Sequence, residues 1–270
     1  MNNHASLFWG NLLIIYNFAV QLNHMKLFHT IGLYYLFLVK VFARPERKGI
    51  YYRETIKEVE KLGINSIGLI VIISAFMGAV ITLQTAYGME NPFLPTYIVG
   101  LGARDSILLE FSSSIVALIL AGKVGSNIAS EIGTMRITEQ IDALEIMGVN
   151  SASYLVLPKV IAAVLFNPFL TIISIVVGIF GGWSVGVFTG AITTQNYIEG
   201  IQYAFEPFYI TYAIIKTLVF AFIITTVSAF NGYYVRGGAL EVGQSSTKAV
   251  VSSSISILLL NIILTQLLLA

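Results

Sequence analysis

Two ionisable residues stand where hydrocarbon would disfavour them. Glu110 lies in SILLEFSSSIVALIL and Lys216 in YAIIKTLVFAF, both otherwise apolar runs. A charge at the centre of a membrane span costs about 2.5–3.5 kcal/mol on insertion scales. Such residues therefore face a partner or a water-filled cavity. Their opposite signs invite direct pairing across a polar cavity, whose wall Ser112, Ser113 and Ser114 would extend. The competing reading is that each lies near an interface and snorkels its charge to water.

The second segment with chemical potential is EIGTMRITEQIDALEIMG, residues 131–148. Glu131, Arg136, Glu139, Asp142 and Glu145 make it a polar island between apolar runs, so it faces water. Thr138 is the expected N-cap of a short helix, with Glu139 and Asp142 in a first turn favoured by the helix dipole. Ile137, Ile141, Leu144 and Met147 recur at three- and four-residue spacing and predict one apolar face. Gly148 supplies a left-handed stop. A surface helix between two spans suits a coupling element that docks in a groove of a soluble motor. Arg136, Ile137, Glu139, Gln140, Ile141, Leu144, Glu145, Met147 and Gly148 would then meet that partner. The plainer alternative is an ordinary interfacial loop helix.

Other chemistries are excluded or weak. There is no cysteine, and the three histidines, His4, His24 and His29, all precede the first confident span. No metal site, cofactor or catalytic residue is assigned to this chain. Gly182-Trp183-Ser184-Val185-Gly186 matches a hydrolase nucleophile pattern, yet it sits in an apolar helix with no preceding strand and no histidine near it. GKVGS superficially resembles a phosphate loop, but G-x-x-x-x-G-K-[ST] is absent. If ATP drives this protein, ATP and Mg are bound by another polypeptide. A formal net charge of +1 argues against a nucleic-acid partner.

The elements that must position these residues are membrane helices. The chain is 56% hydrophobic and 11% charged, with mean hydropathy +0.82, where a soluble domain carries about 25% charge. A bilayer core of about 30 Å takes about 20 apolar helical residues. That length predicts an all-α polytopic membrane protein with about five spans, near 64–88, 106–129, 155–189, 208–233 and 248–269. The third run is too long for one straight crossing and must tilt or extend past the interface.

Residues 1–24 form an N-terminal extension with no basic n-region or A-x-A site; either Met1 or Met25 can begin the chain. Residues 25–62 predict an interfacial, amphipathic segment, and 63–270 the transmembrane domain. Basic residues crowd the ends before span one, around the island, and at Arg236 and Lys248. They place the N-terminus, the island and the 234–247 loop in the cytoplasm and the C-terminus outside. No repeat or inverted pair of halves is visible.

Small residues predict close helix packing. Gly122 and Gly125 end span two, where Lys123 would reach the headgroups. Gly178, Gly182, Gly186 and Gly190 recur every four residues on span three.

The stretch ALILAGKVGSNIASEIGTMRITEQIDALEIMGVNSASYLVLPKV closely resembles the MlaE/YrbE-type permeases of lipid-handling ABC transporters. SAFNGYYVRGGALEVGQSSTKAVVSSS and LTQLLL resemble their C-terminal region, so the similarity runs from about Phe42 to Ala270. The resemblance implies a homodimeric permease of the bacterial inner membrane. It further implies a cytoplasmic ABC ATPase dimer, an MCE-domain substrate-binding protein on the outer side, and phospholipid as cargo. It implies that the segment matching Ile137–Gly148 contacts the ATPase, and that the positions matching Glu110 and Lys216 line a central cavity.

One departure is visible. The family commonly reads E-L-G-P where this chain has Glu110-Phe111-Ser112-Ser113, so a proline-induced helix distortion is expected to be missing. This form, with ALEVGQSSTKAVV, looks most like members from Bacteroidetes-type bacteria.

The combined expectation is a permease that moves phospholipid between the inner membrane and the outer envelope and so maintains outer-membrane lipid asymmetry. The motor's closure would push the island and tilt spans two and three. Two rivals remain at this point: an ion-coupled secondary transporter with Glu110 as proton carrier, and a non-transporting scaffold.

Overall fold

A computed structural model describes residues 28–43, 48–89 and 95–269, and these are helical with no strand among them. The extension at 1–24 lies outside the described residues. Helix α1 is Phe28–Phe42. Five long helices follow: α2 (Tyr51–Gly88), α3 (Tyr97–Ile137), α5 (Ser151–Phe188), α7 (Phe208–Tyr233) and α8 (Ala239–Leu269). Two short helices join them, α4 (Gln140–Ile146) between α3 and α5, and α6 (Thr194–Gln202) between α5 and α7. The expected five spans are present; α5 and α7 keep close to their expected bounds, while α2, α3 and α8 run well beyond theirs.

At 1.5 Å per residue the 38 residues of α5 extend roughly 57 Å, nearly twice the hydrocarbon thickness. Ionic packing makes the overrun possible. Lys159, 3% exposed, donates to Glu58 at 2.5 Å and to Glu131 at 2.8 Å, and Lys61 reaches Glu131 at 2.8 Å. This cluster ties the extended ends of α2, α3 and α5 together. The charged stretch 51–62, the last part of the expected 25–62 segment, is the first part of α2, joined through a π-helical turn at Val59–Ile64.

The close approach of α2 and α5 follows from glycine. A Cβ on Gly78 would fall within van der Waals collision of the Gly178 carbonyl, and one on Gly181 would meet the Ala75 carbonyl. Ser74 donates to Ser174 at 2.8 Å, and Ser174 to Ser112 of α3 at 3.3 Å. Small-residue contact and hydroxyl bonds replace the hydrophobic drive that lipid does not provide. Gly182 and Gly186 join the same face, against Thr82, Tyr197 and Ile192. Gly125 packs on Ser228 and Ile224 of α7.

Two of the six glycines assigned to packing do not pack. Gly122 has no neighbour within reach of a Cβ among the described residues, because it turns outward from α3. Gly190 takes φ +71 in the turn after α5 and serves as a left-handed stop. The α1 helix lies on α7: Phe37 is buried against Phe230 and Tyr233. Tyr34 bonds Thr226 at 2.7 Å.

Candidate functional site

The π-helical segment Ile107–Ile115 builds the membrane-depth site. The distortion expected from proline exists here without it. A π turn widens the helix and loosens its carbonyls, and the Leu109 carbonyl accepts a bond from Lys216 Nζ at 3.1 Å. Glu110 projects from the same segment. Lys216, fully buried, donates to Glu110 Oε1 at 3.1 Å and to the Tyr212 hydroxyl at 3.1 Å. The ammonium also lies 4.7 Å from the Tyr212 ring centroid. With all three donors engaged inside the protein, Lys216 does not snorkel.

Glu110 is held from its other side as well. Asn261 Nδ2 donates to Oε2 at 3.0 Å, and Ser114 Oγ lies 2.9 Å from both Oε2 and Asn261 Oδ1. Tyr212 continues to Thr265 at 2.8 Å. The result is a neutral-overall ionic cluster spanning α3, α7 and α8. It is open on one side, since the Glu110 side chain is 45% exposed while Lys216 is 0%. Glu131 follows Glu110 by 21 positions, roughly 30 Å of helix. The cluster therefore lies in the leaflet opposite the Glu131 ionic layer.

The expected polar wall is only partly here. Ser114 is in the cluster. Ser112 turns to Ser174, and Ser113 Oγ bonds back to the Leu109 carbonyl at 3.5 Å. Both are buried within the bundle, since successive residues of a helix point in different directions. Asn261, Tyr212 and Thr265 were missed by sequence reasoning. A lone Asn in the apolar run LLLNIILTQLLL is the signal that marks α8.

The polar island divides differently than its spacing predicts. Helix α3 continues to Ile137, so Arg136 and Ile137 belong to it and not to the short helix. Thr138 closes α3, donating to the Thr134 carbonyl at 2.8 Å and accepting from Gln140 Nε2 at 3.0 Å. Glu139 takes the N-cap position at φ 60 with no side-chain capping bond. Ile141 is buried and Leu144 is partly buried, while Met147 is 68% and Ile146 87% exposed. Gly148 has φ +78, as a stop requires.

Three bonds fasten α4 to the spans. Arg136 pairs with Asp142 at 2.7 Å. Glu145 Oε1 accepts from Ser151 Oγ at 2.9 Å and from the Tyr233 hydroxyl at 2.8 Å. The Tyr233 hydroxyl, with the Ser151 hydroxyl and the charges of Arg136 and Lys40, holds the Glu145 carboxyl below its usual range, against a smaller opposing effect of burial. Asn150 caps α5 by accepting from the Ser153 N–H, and its Nδ2 donates to the Lys40 and Ala43 carbonyls at the end of α1.

Two further expectations resolve plainly. Ser184 of the hydrolase-like pattern bonds to the Phe180 carbonyl at 2.8 Å inside α5, with no nucleophile geometry. Lys123 donates to the Asn65 carbonyl.

Residues 55–267 match the family described as Permease MlaE. The chain belongs to the MlaE permease family. Its relatives include a probable ABC transporter permease protein of Rickettsia bellii, 36% identical over 90% of this chain and 93% of that one. The intermembrane phospholipid transport system permease protein MlaE of Haemophilus influenzae is 33% identical, over 78% of this chain and 80% of its own. The chloroplastic protein TRIGALACTOSYLDIACYLGLYCEROL 1 of Arabidopsis thaliana is 33% identical, over 84% of this chain and 65% of its own. The matched range takes in the Glu110–Lys216 cluster and α4, and this chain is a membrane permease.

Proposed function

We propose that this chain is the permease subunit of an ABC transporter that moves phospholipid between the inner membrane and the outer envelope. The observation that carries the reading is the one-sided Glu110–Lys216–Asn261 cluster. It offers a fixed, half-open polar anchor among apolar helices, which suits a headgroup with tails alongside. Both Glu110 oxygens are engaged by donors, which suits a standing charge better than the proton carrier of an ion-coupled transporter.

Exposed surfaces on α4 and α8 support two of the proposed partners. Ile146 and Met147 leave α4 with an apolar edge in water, fitted to the groove of a cytoplasmic ABC ATPase dimer that binds ATP and Mg. Of the five spans, α8 is least covered by its own chain, with 11% of its apolar window buried. A homodimer that pairs the α8 sides would bring two Glu110 clusters to one central cavity. An MCE-domain protein would take the lipid on the outer side. The basic residues put α4 and the N-terminus in the cytoplasm and the C-terminus in the periplasm.

The stroke has a physical route. Tyr233 and Lys216 stand on one helix, α7, 17 positions apart. Displacing Glu145 pulls Tyr233 and Ser151 together, so α5 and α7 move at their ends and Lys216 moves relative to Glu110. Lipid exchange by the reconstituted complex tests the reading. ATP-dependent exchange supports it, whereas exchange that ignores ATP, or none with the full complex present, defeats it.

A further inference from the structure

A cavity of about 430 Å³ opens at the α4 side of the membrane, between α1, the end of α7 and the start of α8. Its lining divides by chemistry. Arg236, Lys248 and Gln244 offer donors, while Leu33, Phe230, Tyr234 and Val235 form an apolar wall. Its depth is fixed by Tyr234, which adjoins Tyr233, the residue bonded to Glu145 of α4. The cavity is thus at the membrane–water boundary.

The two cations are uncommitted. Neither Arg236 nor Lys248 makes a salt bridge or hydrogen bond among the described residues, whereas Lys61, Lys159, Arg104, Arg136 and Lys216 all do. The one carboxylate in the lining, Glu241, turns Oε2 to the Gly238 N–H at 2.8 Å and caps the start of α8. Two cations against one engaged carboxylate leave the cavity positive.

We infer that this cavity binds the phosphate of an anionic membrane lipid as a resident ligand, separate from the cargo at Glu110. Arg236 and Lys248 supply the charge, Arg236 able to grip two phosphate oxygens at once. The apolar wall receives the glycerol end and the first methylenes, which a free phosphate would leave uncovered. The bound lipid clasps α1 against α7 and α8, as basic pockets between membrane helices do for acidic headgroups. The inference needs only the fold, so it stands or falls apart from the translocation reading.

The test is binding of phosphatidylglycerol to the purified full chain in neutral detergent, by native mass spectrometry, with no transport readout. Phosphatidylcholine and inorganic phosphate serve as competitors. Arg236→Gln and Lys248→Gln are each expected to weaken phosphatidylglycerol about fivefold, and the double variant about 25-fold, with an unchanged melting temperature in lipid-free detergent. Raising salt should erase most of the difference. Unchanged affinity in the double variant overturns the inference. So does equal competition by phosphatidylcholine, or full displacement by inorganic phosphate. Loss of ATPase association with lipid binding intact would also overturn it, by giving these cations to the protein partner instead.

Discussion

Lys216→Leu separates an anchoring pair from a merely structural one. The substitution removes three donated bonds, to Leu109, Glu110 and Tyr212. Breaking a buried ion pair costs about 3–5 kcal/mol, chiefly because the surviving charge is stranded. Here the stranded group is Glu110, which is 45% exposed and keeps Asn261 and Ser114. The cost therefore falls near the low end, about 3 kcal/mol. Adding Glu110→Gln removes the stranded charge and should return about half of that loss. Thermal unfolding in detergent reads the stability, and ATP-driven lipid exchange in proteoliposomes reads the function. The single variant should insert and fold yet lose transport at least tenfold, and the double variant should regain stability without regaining transport. Full exchange by Lys216→Leu, or a double variant no more stable than the single, would refute the reasoning.

Three other outcomes are expected. Glu145 carries a depressed pKa from the Tyr233 hydroxyl, so its contribution is present above the ordinary carboxylate value of 4.5 and lost as pH falls through the lower folded value. Amide exchange over Gln140–Ile146 should accelerate in that acid window, and Glu145→Gln should flatten the dependence. Met147→Asp, at a 68% exposed position, should leave the melting temperature unchanged and weaken ATPase co-purification by about 30-fold, the scale of one interface hot spot. Gly78→Ala should destabilise by about 1–3 kcal/mol through overpacking against Gly178, while Gly122→Ala should be neutral in the same melting assay.

The number and order of the spans were legible because long apolar runs leave few alternatives to a membrane helix. Their ends were not. Glu58, Lys61 and Glu131 look like loop charges in a linear reading, yet with Lys159 they neutralise one another across three helices and let α2 and α3 run on. The same hidden pairing explains the island: α3 claims Arg136 and Ile137, so the periodicity that joined Ile137 to Ile141 crossed a helix break. Glu110 and Lys216 were conspicuous because charge is rare in such runs. Their partners Asn261 and Tyr212 were not, because polar and aromatic residues also occur in spans for packing alone. The Ser112 assignment failed on direction, since which wall a helical side chain faces depends on neighbours the sequence does not display. The π-helical stretch left no mark in residue type once proline was gone.

A machine that handles lipid must have one seam that never admits it. Where Gly78 meets Gly178 and Ala75 meets Gly181, main chain rests on main chain, and there is no room for a methyl group, let alone an acyl tail. That joint behaves as a keel: α2 and α5 ride together, and any rocking has to be taken up on the far flank, where α8 carries little cover. Leakage and passage are thereby assigned to opposite sides of a single protomer.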